Sequence, residues 1–158
     1  MNIFVVDEDP VIAAQSLCNK HIVKMILESG EMLCNAIKST GETTFYMSDR
    51  HQNHPCTIWT RTSKDNWNWL HTHAVAMCEE YTLRYGKTHS WEDRIRNLTT
   101  PNLPDTGLTE FARAIKKNQY PELLDESITA VEAYRRYYRI DKERFAKWKE
   151  PSTPPPWW

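Results

Sequence analysis

Two long stretches of this chain carry apolar residues at helical spacing, and they limit the fold more than any other feature. Between His21 and Ile37 the positions Ile22, Met25, Ile26, Ser29, Leu33 and Ile37 recur at steps of three and four, one face of an α-helix. Val23, Leu27, Met32 and Cys34 widen that stripe, which predicts a helix at the centre of the molecule. Gly30 stands in its middle, where glycine costs about 1 kcal/mol relative to alanine, so the position points to close packing or close backbone approach. The second stretch runs from Lys64 to about Tyr85. Ser63 is its cap, Trp67, Leu70, Ala74, Met77, Tyr81 and Tyr85 are its stripe, and Gly86 is its stop.

The remaining segments read as shorter helices and loops. Residues 2–6 are too short to found a sheet and are expected to form an extended lead-in. Asp9 and Pro10 suit the cap and first turn of a helix. Residues 39–55 form a polar loop held by Phe45 and Tyr46, and a loop of that length inside a small domain is more often functional than idle. Asn53-His54-Pro55 then enters a helix that carries Ile58 and Trp59. Ser90 to Asp93 resembles a capping box and starts a short helix to about Asn97. Thr99–Gly107, with two prolines and a glycine, is loop. A weaker helix is expected over Thr109–Lys117, and another from an Asp125 cap through Tyr138, continued or restarted over Asp141–Trp148. The tail PSTPPPWW cannot be helical past Pro151 and is expected to be extended.

Only 4 glycines are present, few for an architecture of strands and tight turns. At 158 residues the chain suits one domain that buries about 68–70% of its unfolded surface. The expected architecture is therefore all-α: a compact single-domain helical bundle over residues 1–150, with long connecting loops and an extended Trp/Pro-rich tail over residues 151–158. No apolar run approaches the ~20 residues of a membrane helix, and the opening MNIFVVDEDP is acidic, so neither a membrane nor a secreted protein is expected. Cys18, Cys34, Cys56 and Cys78 show no CxxC spacing and read as cytosolic thiols.

Charge restrains the function. A protein that scans duplex DNA usually carries a large positive excess, and here the net charge is −1. The basic residues gather late: Arg135 to Lys149 holds 7 of them against Asp141 and Glu143, so an anion-binding surface is expected near the C-terminal helices. Arg135, Arg136 and Arg139, interleaved with Tyr134, Tyr137 and Tyr138, suit phosphate contact with base stacking, or equally a solvated helix face.

Two more groupings are chemically suggestive. His21, Lys24 and Glu28 sit at i, i+3 and i+7, on one helix face beside the apolar stripe. The same spacing suits a solvated edge with a Lys24–Glu28 pair worth a few tenths of a kcal/mol. Asn66, His73 and Glu80 recur every seven residues, as a binding face or as a buried polar seam. His71 and His73 do not face one way on a helix, and His51, His54 and Cys56 would meet only through loop folding, so no metal is expected.

Three blocks carry a resemblance: the opening MNIFVV…DP, the helix NKHIVKMILES, and NHPCTIWTRTSKDNWNWLHTHAVAMCEEYTLRYGK. Together, over about half the chain, they resemble the pyrimidine dimer DNA glycosylase (endonuclease V) family of small all-α proteins, in particular a divergent phage-type branch. The resemblance implies a DNA glycosylase and abasic-site lyase. In that family the α-amine of the first residue attacks the sugar C1′, the base leaves, and a glutamate assists elimination from the Schiff base. An ungapped match from His21 places that glutamate on Glu28. Asn2 is bulky enough for Met1 to be retained, which makes the amine of Met1 the expected nucleophile. An α-amine has a pKa of ~7.7–8.0 without tuning, whereas Lys20 or Lys24 would need a shift of about three units.

His21 and His54 are expected to assist, and Lys24, Asn53, Asn66, His73, Arg135, Arg136 and Arg139 to contact substrate. Leu27 and Glu31 stand where the family's DNA-gripping arginines would be sought. The expected partner is DNA or a nucleotide, with no cofactor, no membrane and a monomeric chain in the cytoplasm, the host's if the chain is phage-encoded. Two alternatives stay open: the same fold used for another base or nucleotide modification or transfer reaction in phage DNA metabolism, or a non-catalytic module that docks a partner through Trp157, Trp158 and the proline-rich tail.

Overall fold

Local side-chain caps start most of the helices. A computed structural model describes residues 1–158 as six α-helices with no strand: α1 Pro10–Ser16, α2 Asn19–Ser39, α3 Pro55–Thr62, α4 Lys64–Tyr85, α5 Glu92–Arg96 and α6 Ala130–Tyr137. The Asp9 carboxylate accepts from the backbone N–H groups of Val11 and Ile12 at the start of α1, with Pro10 in the first turn. His54 Nδ1 accepts from Cys56 N–H above α3, and the Ser63 hydroxyl accepts from Asn66 N–H above α4. Gly86 closes α4 in the left-handed conformation at φ 66°, its N–H bonded to Thr82 O. No helix is long and apolar enough to cross a membrane.

The two long helices form the frame. α2 and α4 pack along each other, α1 lies on α4, and α3 bridges both. Ile22, Ile26 and Leu33 of α2 meet Trp67, Leu70 and Met77 of α4 in one continuous core. The Trp67 indole N–H donates to Leu33 O at 3.2 Å, which satisfies the one polar atom of a buried ring. Gly30 faces Trp91: a Cβ built there would lie 2.6 Å from the indole Cε3. Gly30→Ala is therefore expected to lower stability by about 1–3 kcal/mol despite alanine's better helix propensity. Urea denaturation checks this, and Trp91→Leu in the same chain should recover most of the loss.

The lead-in over residues 2–6 is without helix or strand, as expected, but it is buried and sharply bent rather than simply extended. Ile3, Phe4, Val5 and Val6 are all buried, and Phe4 adopts a left-handed φ of 59°. Such a backbone costs about 1–3 kcal/mol in a bulky residue and persists only where its surroundings dictate it. Here Asn2 Oδ1 accepts from the N–H groups of Ile3 and Phe4 and from the Tyr134 hydroxyl, while Val6 N–H closes on Phe4 O. The bend carries residue 1 back against α2.

The C-terminal half departs from expectation in three places. Thr109–Lys117 is not a helix, because side chains from distant elements take its backbone groups: Thr109 N–H donates to Asn66, Ala114 N–H to the Tyr134 hydroxyl, and Ala114 O accepts from the Asn2 amide. The helix expected from Asp125 starts instead after Thr129, whose hydroxyl caps Glu132 N–H; the Asp125 carboxylate folds a turn onto Ser127 N–H. A short 3₁₀ turn at Pro121–Leu124 precedes them. α6 widens into a π-helical turn over Tyr138–Lys142, and no helix restarts through Trp148, where Lys147 O and Lys149 N–H are both bonded to Asn19. Ser90 provides no cap for α5, whose N-cap is Trp91.

The tail is seated on this body. Ser152 donates to Glu80, Arg139 donates to Trp157 O, and Trp157 and Trp158 are half-buried with their rings at the edge of Tyr138. Beneath it the guanidinium of Arg84, fully buried, donates to Glu80, Ser152, Asn19 and the carbonyls of Leu17 and Gln15. One ion thereby ties α1, α2, α4 and the tail.

Candidate active site

The bend at Phe4 and the exposed edge of α2 enclose a cleft of about 400 Å³. α2 contributes Lys20, His21, Lys24 and Glu28, the three- and four-residue spacing placing all four on one side. Met1 and Asn2 close one end. Residues 114–145 supply the far wall: Lys116, Lys142, and the rings of Tyr137 and Phe145.

Glu28 is the hub. The Met1 amine lies 3.7 Å from Glu28 Oε2, Asn2 N–H donates to the same oxygen at 3.1 Å, and Lys24 Nζ stands 3.3 Å from Oε1. The carboxylate is 8% exposed and so partly withdrawn from water between two cations. A backbone amide, an amine and a carboxylate thus converge, the amine at ion-pair distance and one bridging water away from proton transfer.

The electrostatics around it are strongly positive. Four lysines and the amine share the cleft with one carboxylate, in a chain of net charge −1. Just behind the wall, Asp141 pairs with Lys142 at 2.6 Å and Lys116 at 3.1 Å and accepts from the Tyr120 hydroxyl. Burial opposes its ionisation, but those donors prevail and hold the carboxyl at about 2. Lys142 Nζ also lies 4.7 Å from the Tyr137 ring centre and 5.4 Å from that of Phe4, at cation–π distance. A cationic recess walled by aromatic faces suits a phosphate-linked base or sugar.

The histidines at the cleft are held neutral. Burial first, then the charges of Lys142, Lys24 and Lys20, push His21 down to about 3. Its ring stacks on Phe4 with centroids 4.2 Å apart, and Nδ1 lies 2.7 Å from the Tyr138 hydroxyl. His54, half-buried at the head of α3, is lowered by burial, then by the positive Met1 amine and His51. His73, outside the cleft lining, is lowered to about 4 by burial. Each ring held below the ordinary value near 6.5 takes up fewer protons folded than unfolded, so acidification favours unfolding. Between pH 6.5 and about 4, His21 and His73 should each cost the fold up to about 1.4 kcal/mol per pH unit. Urea midpoints at pH 7.5, 6 and 5 should fall accordingly; a flat profile would show that both rings titrate freely.

The other sequence-predicted site residues lie elsewhere. Asn53 is exposed on the loop before α3, outside the cleft lining. Asn66 is fully buried, bonded to Trp59 O and Thr109, and His73 is buried with Nδ1 2.9 Å from Pro10 O. Arg135 holds Val6 O and Asp7, Arg136 pairs with Glu132, and Arg139 holds Trp157 O. The structure therefore brings together Met1, His21, Lys24 and Glu28, with His54 beside the amine. Sequence reasoning did not find Lys116 or the Phe145 wall. Lys142 carried a signal in the basic run, whereas nothing local marked Lys116.

A family model for pyrimidine dimer DNA glycosylase matches residues 1–93. No curated protein and no solved structure gives a match to the chain.

Proposed function

This chain belongs to the pyrimidine dimer DNA glycosylase family, and from that premise we propose that its cleft removes a damaged or modified pyrimidine and cuts the strand through an amine Schiff base. The observation that carries the reading is the 3.7 Å separation of the Met1 amine and the Glu28 carboxylate inside a cationic cleft.

In the proposed sequence Glu28 accepts a proton from the Met1 ammonium. The free amine adds to C1′ as the bond from C1′ to the base nitrogen breaks, and the base departs with its bonding pair and takes one proton from the newly formed C1′ ammonium, leaving a neutral amine on the sugar. Glu28 then returns its proton to the ring oxygen as the sugar opens to an iminium. Loss of a C2′ proton to the same carboxylate expels the 3′ phosphate by β-elimination, and water releases the unsaturated aldehyde from the amine. A carboxylate set against an apolar helix stripe suits this alternation of base and acid. His54, neutral and beside the amine, with Nδ1 held by Cys56 N–H, assists as an Nε2–H donor. His21 meets the bound nucleotide as a neutral group, and Lys24, Lys20, Lys116 and Lys142 hold phosphates. The phosphate role goes to these lysines because they line the cleft, whereas Arg135, Arg136 and Arg139 lie outside its lining.

The test uses two duplexes, one ultraviolet-irradiated and one with a single abasic site, each incubated with the protein in the presence and absence of borohydride. Strand cleavage of both, with a covalent protein–DNA adduct under borohydride, is the expected result. Absence of cleavage and adduct on either duplex ends the proposal.

A further inference from the structure

Tyr138 lies outside the family-matched residues, yet it reaches the one imidazole that lines the cleft. Its ring is fully buried, and its hydroxyl has two partners: it accepts from Cys18 N–H at 3.0 Å and lies 2.7 Å from His21 Nδ1. The direction of the second bond follows from counting protons. If Nδ1 were the donor, the phenolic hydrogen would be left in the core with only the weakly accepting Cys18 thiol beside it, a poorer arrangement for a buried group. If the phenol donates, both its hydrogen and its oxygen are used and Nδ1 is the acceptor. A neutral ring then carries its hydrogen on Nε2, which has no protein partner.

We propose that Tyr138 is a positioning residue for the cleft: its hydroxyl donates to His21 Nδ1 and so fixes His21 as the tautomer that offers an Nε2–H donor to an oxygen of the bound nucleotide. Packing holds the geometry. Phe4 stacks on the imidazole at an interplanar angle of 12°, Phe145 meets its edge, and Trp157 and Trp158 close on the Tyr138 ring from the tail. The charged groups around the ring are Lys20 and Lys24 on its own helix and Lys142 on the π-helical turn, and all three disfavour the imidazolium. A donor that stays neutral can hydrogen-bond a sugar or base oxygen without drawing a phosphate into its place. The nucleotide part of this inference rests on the proposed function; the tautomer does not.

The experiment separates the two. Long-range proton–nitrogen correlation spectra of the full ¹⁵N-labelled chain report which ring nitrogen of each histidine is protonated, with His21 assigned from the signal lost in His21→Gln. Between pH 5 and 8 the wild-type His21 should show an unprotonated Nδ1 and a protonated Nε2. In Tyr138→Phe the two nitrogen signals should move toward each other as both tautomers populate. With abasic duplex the same variant should lose about 10-fold in kcat with KM little changed, the scale of one lost hydrogen bond. A wild-type ring protonated at Nδ1, or an unaltered spectrum in a folded Tyr138→Phe, overturns the proposal. Should Tyr138→Phe fail to fold, the wild-type spectrum decides alone. The expected ring signature in a chain that does not cleave DNA would sink the glycosylase reading and leave the tautomer assignment standing.

Discussion

Glu28→Gln should slow strand cleavage at an abasic site by about 10²–10⁴-fold while DNA binding and folding persist, the usual range for loss of a positioned general acid–base group. Glutamine has nearly the same shape, and its amide oxygen can still accept from Asn2 N–H, the 3.1 Å bond that anchors the chain's first residues. What it cannot do is take a proton from the Met1 amine or return one to the sugar. Single-turnover cleavage measured on a gel, together with binding measured by fluorescence anisotropy, separates these effects. A loss of less than tenfold would mean that the carboxylate serves only as the ion-pair partner of Met1 and Lys24. Lys24→Ala is the control: Lys24 is well exposed, so its loss should cost little stability and act on binding alone.

The largest stability effect should come from the C-terminal end of α4. Arg84→Met is expected to cost about 3–5 kcal/mol, because it leaves the Glu80 carboxylate buried without its counterion and strips donors from the carbonyls of Leu17 and Gln15. The cost arises from what is orphaned, since burying the intact pair contributes little net stability by itself. Because the same guanidinium holds Ser152, the tail should loosen first, visible as early proteolysis near residues 151–158. Urea denaturation gives the free energy. A change below about 1 kcal/mol would show that water readily replaces the guanidinium.

The parts of this molecule that depend on local rules were legible in its sequence. The apolar periodicity of α2 and α4, the Asp9 and Ser63 caps and the Gly86 stop all act within a few residues, and the structure shows each of them. What escaped depends on partners far along the chain. Thr109–Lys117 has ordinary helix-forming residues, but Asn2, Asn66 and Tyr134 capture its backbone groups. Arg135, Arg136 and Arg139 look like a phosphate-binding band in a linear reading; folding places Asp7 against Arg135 and Trp157 against Arg139, while Arg136 pairs with Glu132 one turn back on its own helix. The cleft shows both sides. Helical spacing alone put His21, Lys24 and Glu28 on one face, whereas no propensity of phenylalanine foretells the left-handed turn at Phe4 that brings Met1 to meet them.

The central claim is that the chain's own amine does the chemistry beside Glu28, and the site of the covalent bond tests it most directly. Borohydride-trapped complexes with abasic DNA, digested and mapped by mass spectrometry, should carry the reduced sugar adduct on the α-nitrogen of Met1 alone. An adduct on the side chain of Lys20, Lys24, Lys116 or Lys142, or a Met1 peptide recovered unmodified from a trapped complex, would contradict the account.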